Sequence, residues 1–457
     1  MNKLIKQYNK ANNLLVISPY PKKGTVYNYT HGIVSFAKNT VKSLLPHFKK
    51  DKQKIVVITD RQSKKEVYVE DDVLVCRTFK KNSISMYLDI FKELFKFKNS
   101  KNILIQFDFS LYGDFLPVSL FGLFMMLLKF LGYSINLVLH SVVLDLKTIS
   151  PHLGYKNDLV SKINIIVFNS GLKFFYYLFI KASKNIIVME SDFIERLKSI
   201  DKKAPVVYLP HGVDVININN INKEEARRKL KIKKNDFLVV SFGFVTWYKG
   251  ADFLINNFTK PVKIANKSIK FLLSGGPAPS LIHKKYYQNY YKKLQARAIQ
   301  SKNIKITGFI EEKNIPIYFK AADLIIFPYR TLMSSSGPLS FVYTFEKPFA
   351  LSNCLKSVMK NDYFKKAILE TKLVEEDLFF SLTKKDLINH IKKIIIQKKL
   401  EKLASFSKSA KKELSWKLIG KNWYEIVQTK TNEKVAFGFR EASKKRLAFK
   451  RIPTFSV

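Results

Sequence analysis

The sequence has 457 residues, of which 47% are apolar and 25% are charged, with 16 Gly and 15 Pro. This composition excludes wholesale disorder and a collagen-like chain, and the length exceeds what a single core usually supports, so we expect two domains. Two cysteines, Cys76 and Cys354, exclude a disulfide framework and a cysteine-based zinc cluster, and they are consistent with a reducing, cytoplasmic compartment.

The charge is strongly basic, with 80 Lys and Arg against 36 Asp and Glu and a net charge of +44. Such a charge favours nucleic acid, an anionic membrane face or phosphorylated ligands as partners. The basic residues are mostly Lys and are spread along the chain, a bias typical of AT-rich coding, whereas nucleic-acid footprints tend to cluster. We therefore expect no specific nucleic-acid partner and keep an anionic membrane surface as a candidate partner.

The first half of the chain alternates short apolar runs with segments of helical periodicity, near 31–46 and 84–97. The runs are rich in β-branched residues and apolar on both faces, as buried parallel strands are. They predict six strands, at 14–18, 54–60, 73–79, 102–108, 134–142 and 185–190.

The longest apolar stretch, 115–131, is shorter than the roughly 20 residues that a membrane span needs. It contains Pro117 and Lys129 and lies between two predicted strands, so it predicts a buried crossover helix, with a membrane-dipping helix as the alternative. The aromatic helix face of 170–182 is expected in the core, with a lipid anchor as the alternative.

A second series of strand-like runs follows, with helical segments near 222–232, 279–300 and 383–396. Repeated alternation of strand and helix in two blocks predicts two doubly wound, Rossmann-like α/β domains facing a cleft, with ligands at the carboxyl ends of strands. The runs of this second series lie at 206–210, 237–243, 269–276, 304–310, 324–329 and 348–352.

Two places in the first half could contact a ligand. Gly24 and Gly32 flank the start of a helix after the first strand, where backbone can approach a phosphate or sugar. A GxGxxG dinucleotide fingerprint is absent from this turn. His140 ends the strand SINLVLH and should point into the cleft; a satisfied buried histidine is the alternative.

Three further loops of the second half offer groups for an anion. Lys249 stands at a helix start after a strand, where it can meet a diphosphate as a point charge. The strand at 271–277 ends in two glycines, the first of them Gly275. Ser335, Ser336 and Gly337 precede a helix and could form an anion cradle, with ordinary N-capping as the alternative.

The order of these pieces carries a resemblance. The succession PHGVD, G…KG, GG, TGF, AADLIIFPY, SSG and EKP resembles the nucleotide-binding half of GT-B glycosyltransferases, most closely glycosyltransferase family 4 (glycosyl transferases group 1), as a divergent member. NILIQFDFSLYGDF followed by LVLHSVVLDL is similar to a branch of that family, and 411–427 looks like its closing helix. The resemblance covers about 13–428.

The resemblance implies an α/β GT-B fold with an acceptor-side domain (1–206), a nucleotide-sugar-binding domain (207–412) and a closing helix that crosses back (413–429). A basic tail (430–457) lies beyond the resemblance, and its Lys and Arg with interspersed apolar residues predict that it lies on an anionic membrane or in solvent.

The resemblance also implies an activity. A hexose, such as mannose or glucose, passes with retention from a nucleoside diphosphate sugar to a glycan or lipid-linked acceptor, in cell-surface polysaccharide or glycolipid synthesis at the cytoplasmic membrane face. No cofactor or metal is implied. The implied site residues are catalytic His140, donor-binding Gly24, Lys249, Gly275, Ser335, Ser336 and Gly337, and acceptor-side His31 and Asp108.

The sequence departs from the family pattern at the donor site. Counting back from the proline of EKP places the family's two glutamates at Ser340 and Leu332, and Glu346 falls six residues late. Thr246 stands where an arginine commonly precedes Lys249. An alternative function is therefore a catalytically degenerate GT-B protein that binds sugar nucleotide or scaffolds a partner.

Overall fold

The computed structural model describes residues 2–25, 32–154, 158–213 and 221–428. They form two α/β domains, each built on a mostly parallel sheet with helices on both faces. The predicted fold class, two doubly wound α/β domains, is confirmed.

The first sheet has eight strands in the order β3-β4-β2-β1-β5-β6-β7-β8. All neighbours are parallel except β3 and β4. The strands are β1 (Leu14–Ile17), β2 (Ile55–Asp60), β3 (Glu66–Glu70), β4 (Val73–Phe79), β5 (Asn102–Phe107), β6 (Ser134–Leu139), β7 (Asn185–Val188) and β8 (Val206–Tyr208).

Eight α-helices accompany this sheet, with a 3-10 turn at Leu146–Ile149. They are α1 (Asn2–Tyr8), α2 (Gly32–Lys50), α3 (Ser85–Lys96), α4 (Phe115–Ser119), α5 (Phe121–Phe130), α6 (Ser150–Leu153), α7 (Leu159–Ala182) and α8 (Ser191–Lys198). Side chains of α3, α5 and α7 share the core on one face of the sheet, and α2 packs into the core on the other face.

The second sheet has seven strands, six of them in the order β10-β11-β9-β13-β14-β15, with β12 also paired to β11. Only β10 runs antiparallel to its neighbour. The strands are β9 (Asp236–Phe242), β10 (Val262–Ile264), β11 (Lys267–Ser274), β12 (Ile304–Ile306), β13 (Leu324–Phe327), β14 (Phe349–Ser352) and β15 (Phe379–Phe380).

The helices of the second half complete the chain, with 3-10 turns at Glu312–Asn314 and Asn353–Lys360. They are α9 (Lys223–Lys229), α10 (Ala251–Asn257), α11 (Lys285–Ile299), α12 (Ile315–Ala321), α13 (Gly337–Thr344), α14 (Asp362–Thr371), α15 (Glu375–Leu378), α16 (Lys384–Ile396), α17 (Leu400–Glu413) and α18 (Trp416–Gln428).

The apolar runs located the central strands well, but one of them belongs to the other domain. The sequence pattern places the run at 206–210 in the second series, whereas β8 pairs with β7 of the first sheet, Val206 opposite Ile186. The sequence pattern does not predict three short strands, β3, β10 and β15. The edge strand β3 has no buried residue, so it lacks the apolar run by which a buried strand is recognised.

The apolar stretch 115–131 differs from its expectation of a buried crossover helix. It divides into α4 and α5, and one side of the pair packs into the core through Phe121 and Met125. The other side exposes large apolar groups, among them Phe115, Leu123 and Phe130. The aromatic segment 170–182 is the second half of the longer α7, where Phe175 and Phe179 are in the core as expected.

The last helix returns to the first domain. Trp423 of α18 is fully buried with Phe36 of α2, and the backbone at Gly420 lies so close to Ser43 that a side chain there would overlap it. The Asn102 amide donates to the Val427 carbonyl (2.8 Å). This contact ties the end of α18 to the start of β5. The predicted basic tail lies outside the described residues.

Candidate active site

The carboxyl edges of the two sheets face each other and touch. Ser141, after β6, forms an isolated antiparallel bridge with Ser334, after β13. Arg196 of α8 donates to the carbonyls of Val142 (2.5 Å) and Leu332 (3.2 Å), which belong to different domains. Since ligands of doubly wound sheets bind at carboxyl strand ends, the candidate site lies along this contact.

Lys249 occupies the turn between β9 and α10. Its ammonium lies 5.8–5.9 Å from the ring centroids of Phe244, Tyr248 and Tyr329. Within the described residues no carboxylate lies at ion-pair distance from Lys249. Burial lowers the pKa of Lys249 from 10.5 to about 8. The group is therefore a mostly protonated cation at neutral pH, and the described residues supply it with no counter-charge.

The same ammonium adjoins the start of α13. A Cβ atom on Gly243 would lie 2.8 Å from Lys249 Nζ and 3.3 Å from Pro338 Cγ, so these three residues meet. Gly243 has a φ of +121°, which favours glycine, and its missing side chain leaves room for the ammonium. A cation beside the positive end of a helix is a favourable place for an anion.

The serine run before α13 is only partly available to a ligand. The Ser336 hydroxyl accepts from the Leu339 N–H (3.3 Å), which is the N-capping role given as the alternative. Ser335 Oγ contacts Met189 Sδ of the first domain (3.6 Å). Gly337 opens the helix, and its N–H bonds no group among the described residues. Of the three predicted donor-binding positions, Gly337 therefore offers the least encumbered hydrogen-bond donor.

Gly275 has a packing role. A side chain there would overlap the Gly243 carbonyl, so its absence lets the loops after β9 and β11 come together. The Gly275 N–H already bonds Thr307 Oγ1 (3.1 Å) and the Leu273 carbonyl (3.2 Å). Gly275 therefore allows the two loops to pack together, and its N–H is already used within the protein and is not free for a phosphate.

Gly24 lies away from this cluster. Its N–H donates to Glu70 Oε1 (2.7 Å) on β3, the far edge strand of the first sheet. Lys38 of α2 bonds the same carboxylate oxygen (3.0 Å) and the Thr25 carbonyl (2.6 Å). The structure thus does not bring Gly24 to Lys249. The predicted acceptor-side residue His31 lies outside the described residues.

His140 follows β6 at the carboxyl edge, as the sequence predicts, but the residue is only 3% exposed. Its Nε2 lies 2.7 Å from Gln106 Oε1, and its ring meets Phe36 edge to face at 5.0 Å. Burial chiefly, with help from His211, lowers the pKa of His140 to about 3 against the opposing charge of Asp108. His140 is a neutral, hydrogen-bonded histidine that matches the stated alternative.

Asp108 organises the domain contact. One carboxylate oxygen accepts from the N–H and hydroxyl of Ser110 (3.0 and 2.6 Å), and the other accepts from the Ser141 hydroxyl (2.7 Å). Ser141 in turn bridges to Ser334. Asp108 therefore fixes the strand end that meets the second domain.

Arg330 is a site residue that the sequence analysis missed, although it directly follows the quoted AADLIIFPY motif. Its guanidinium forms two bonds to the Asp252 carboxylate (both 2.8 Å) and one to the Trp247 carbonyl (2.6 Å). Its backbone N–H bonds the Tyr248 carbonyl (2.7 Å). Arg330 thus holds the turn that carries Lys249, and its fork is already paired.

The positions that lack the family's charged groups are closed to solvent. Thr246 is buried, and its hydroxyl has no hydrogen-bond partner among the described residues. Leu332 and Ser340 are also buried, and Ser340 Oγ bonds the Gly337 carbonyl (2.7 Å). Glu346 pairs with Lys411 (3.0 Å) at the turn after α13.

His152, on the short helix α6, reaches the turn from the first domain. Its ring meets Tyr248 edge to face at 5.0 Å, and its carbonyl accepts from the Tyr286 hydroxyl (3.1 Å). Burial, and secondly the charge of Lys249, lower the pKa of His152 to about 4. A cavity of about 290 Å³ opens here, lined by Pro151, His152, Gly154, Trp247, Tyr286, Tyr287 and Tyr290.

Acidic, histidine and cysteine side chains do not gather anywhere in the described ranges into a group of three or more that could hold a metal ion. The expectation of no metal and no cofactor stays a prediction.

Residues 222–342 match the family model described as "Glycosyl transferases group 1". The matched segment contains the turn with Lys249, the loop with Gly275 and the start of α13. No curated protein matches the chain in sequence.

Solved structures match almost the whole chain at low identity. Sucrose-phosphate synthase from Thermosynechococcus elongatus superposes with a TM-score of 0.61 at 13% identity, covering 91% of this chain and 98% of its own. HepE from Anabaena, in complex with UDP-glucose, gives 0.59 at 12% identity, covering 91% and 99%. WaaG, a glycosyltransferase involved in lipopolysaccharide biosynthesis, gives 0.58 at 11% identity, covering 91% and 100%. These likenesses establish the GT-B arrangement of the two domains.

Proposed function

We propose that this GT-B glycosyltransferase moves a hexose from a nucleoside diphosphate sugar to a glycan or lipid-linked acceptor. The observation that carries the proposal is the Lys249 ammonium, which has no counter-charge among the described residues and adjoins the start of α13. A diphosphate would supply that missing charge. The solved complexes of HepE with UDP and with UDP-glucose support this class of donor.

The proposed chemistry is electrostatic. As the bond from sugar to diphosphate breaks, negative charge grows on the leaving diphosphate, and a fixed cation there stabilises the transition state more than the ground state. Lys249 and the Gly337 N–H would hold the phosphate oxygens. Because these groups supply positive charge, the proposal includes no metal. Retention of configuration is proposed from the family resemblance.

We propose that His140 helps to form the wall of the pocket in which the transferred sugar lies. Its ring is fixed by Gln106 and Phe36 and is neutral at physiological pH, so it does not serve as a proton donor. A neutral, immobile ring at the carboxyl end of β6 can shape the pocket in which the sugar lies. We also propose Asp108 as an acceptor-side residue, since it fixes Ser141 at the same edge.

The proposed setting is synthesis of a cell-surface polysaccharide or glycolipid at the cytoplasmic face of the membrane. The lipopolysaccharide role stated for WaaG is consistent with it. Mannose and glucose are the proposed sugars.

The test is a thermal-shift panel of UDP, GDP, ADP and their common sugar conjugates, confirmed by calorimetry. A ligand that binds only the folded state raises the midpoint of unfolding by mass action. We expect one nucleotide to shift the midpoint selectively. No shift with any nucleotide, at concentrations up to several millimolar, would contradict the proposed donor site.

A second candidate function is a degenerate GT-B protein that binds sugar nucleotide without transferring it. The specific support is that Arg330 is committed to Asp252 while Thr246 carries no charge, so no arginine fork is free in the described site. Slow release of free sugar from a bound donor distinguishes the two candidates. Binding without any such release, over many hours and with candidate acceptors added, would favour the second.

A further inference from the structure

Three helices of the first domain carry an unusual share of exposed apolar surface. More than half of the exposed large apolar side chains in the described part of the chain belong to α4, α5 and α7. The three helices adjoin one another: Gly122 of α5 packs on Leu178 of α7, and Phe115 meets Phe168 at 5.7 Å. Their outer sides therefore form one continuous surface, which we call the α4–α5–α7 surface.

The first half of α7 forms the central part of this surface. From 162 to 174 none of its residues is buried, although the segment includes Ile163, Ile166, Val167 and Phe174. Ile166 and Val167 are 67% and 63% exposed. An apolar patch of this extent is rare on a monomeric soluble protein and marks an interaction site.

The helices of this surface are basic. The two segments 115–131 and 159–182 contain four lysines, Lys129, Lys162, Lys173 and Lys181, and no Asp or Glu. Lys181 pairs with Asp201 outside these segments (2.9 Å), whereas Lys162 and Lys173 form no ion pair among the described residues. Apolar groups interspersed with lysines, without acids, complement a bilayer that carries anionic headgroups, because the apolar groups enter the headgroup boundary while the lysines remain at the phosphates.

We propose that the α4–α5–α7 surface docks this protein onto an anionic lipid bilayer, with the first half of α7 lying in the membrane interface. The net charge of +44 adds long-range attraction to the same partner. Docking through this surface is independent of which sugar or nucleotide the protein uses.

The structure favours a helix that lies on the membrane over one that crosses it. By length and composition alone α7 could span a bilayer. However, its second half belongs to the core, where Phe179 meets Phe107 at 4.8 Å and Phe175 meets it at 5.7 Å. Crossing would remove these rings from the core of the first domain and carry Lys173 and Lys181 into the hydrocarbon.

The surface also lies beside the candidate site. Both α4 and α7 begin on the side of the sheet where β5 and β6 end, since each helix follows its strand and runs back along the sheet. Docking through this surface would place the carboxyl edge near the headgroups, where a lipid-linked acceptor presents its sugar. This last step rests on the proposed function.

The test is flotation of the full chain with two kinds of vesicle. One contains phosphatidylcholine alone, and the other contains phosphatidylcholine with about 30% phosphatidylglycerol, which mimics an anionic leaflet. We expect binding to the anionic vesicles that weakens with salt. The double variant Ile166→Asp/Val167→Asp should bind at least about tenfold more weakly, because two apolar contacts are replaced by charges of the lipid's own sign.

A matched control uses Ile299→Asp/Leu369→Asp, two apolar side chains that are 83% and 69% exposed on the second domain. This control should bind like wild type. Equal losses of vesicle binding in both double variants would overturn the proposal. Equal binding to vesicles with and without phosphatidylglycerol would also overturn it. Unchanged thermal midpoints show that both variants are folded.

The charge is tested separately. Lys162→Gln/Lys173→Gln should lose about fivefold in vesicle binding per lysine, whereas Lys292→Gln/Lys293→Gln on α11 should lose clearly less.

Gel filtration with light scattering tests whether a second copy of the chain, and not a bilayer, covers the α4–α5–α7 surface. If Ile166→Asp/Val167→Asp turns a dimer into a monomer and leaves vesicle binding unchanged, the surface is a self-interface and the proposal fails. Nucleotide binding, measured on the same variants, distinguishes this failure from failure of the proposed function.

Discussion

Lys249 combines two properties that oppose each other. Its ammonium is enclosed by three aromatic rings and Gly243, and burial lowers its pKa from 10.5 to about 8. In the folded state without ligand the charged form is therefore disfavoured, and the free energy of unfolding is reduced below pH 8 and regained as the pH rises from 8 to 10.5. A bound diphosphate would remove this cost by supplying the opposite charge.

Replacing Lys249 with methionine should separate stability from binding. Lys249→Met removes the unpaired buried charge but keeps most of the volume, so we expect the thermal midpoint without ligand to rise by about 2 °C or more. Nucleoside diphosphate affinity, measured by calorimetry, should fall at least about tenfold.

The surface control for this variant is Lys293→Met, which should change neither quantity. In the wild type, affinity should decline as the pH rises above about 8, because the free ammonium loses its proton. Affinity that is equal in wild type and Lys249→Met would remove Lys249 from the site.

His140 tests whether a buried histidine at a strand end serves the reaction. His140→Ala should lower turnover more than nucleotide affinity, since the ring would shape the sugar pocket while Lys249 holds the diphosphate. Because its pKa lies near 3, His140 should contribute no inflection to the pH profile of turnover between pH 5 and 8. Turnover in His140→Ala that equals wild type, at matched folded concentration, would leave His140 a structural residue.

Among the elements, the loops after β9, β11 and β13 depend on close backbone contact. Gly275 faces the Gly243 carbonyl, and Gly250, with a φ of +73°, faces the Pro328 carbonyl, both too closely for a side chain. These contacts place Lys249 and the start of α13 on one side of the sheet edge. A glycine here is needed for space, whereas Gly171 within α7 has no neighbour around the position of a Cβ.

The two kinds of glycine should respond oppositely to alanine. Gly275→Ala forces apart the loops after β9 and β11 and should lower the free energy of unfolding by about 1–3 kcal/mol. Gly171→Ala adds helix propensity in an exposed helix and should raise it by about 0.5–1 kcal/mol. Urea denaturation of both variants measures the difference. A Gly275→Ala protein as stable as wild type would show that these loops are not tightly packed.

In the whole molecule, the two domains are joined by contacts at the carboxyl edges, by α8 against the turn at Asn353–Lys360, where Lys360 pairs with Glu195 (2.7 Å), and by the returning helix α18. Arg196 bonds carbonyls of both domains, and Ser141 bridges to Ser334. Val213 in the connection between domains donates to the Leu414 carbonyl just before α18 (2.9 Å), and Trp416 lies against Gly212. The domains are thus joined at the candidate site and where the chain crosses back to the first domain.

Removal of Arg196 should loosen the domains. Arg196→Ala loses one hydrogen bond from a charged donor across the cleft, to the Leu332 carbonyl, together with a bond to Val142 and an ion pair with Asp192 (2.6 Å) inside the first domain. We expect the free energy of unfolding to fall by about 1–3 kcal/mol. Calorimetry should show a lower midpoint with a broader, less cooperative transition, since the domains unfold more independently. Arg297→Ala, an exposed arginine within the second domain, is the control. Equal effects of the two substitutions would contradict a special role for Arg196.

Much of the fold could be predicted from the sequence, because buried parallel strands are continuous apolar runs. The runs at 73–79 and 102–108 predicted β4 and β5 almost to the residue. The run at 206–210 was assigned to the wrong sheet, since a short apolar run does not state which neighbour it pairs with. For the site, the sequence singled out Lys249 from its place after a strand, but not Arg330, whose partners Asp252 and Trp247 are distant along the chain.

The sequence by itself determined the alternation of strands and helices, the excess of positive charge and the loops in which ligand-binding groups could lie, because all three are local properties. Only the tertiary structure decided that His140 is buried against Gln106, that Gly24 bonds Glu70 away from the cleft and that the first half of α7 stays uncovered. These outcomes depend on which segments pack together, and packing is set by contacts between residues far apart in the chain.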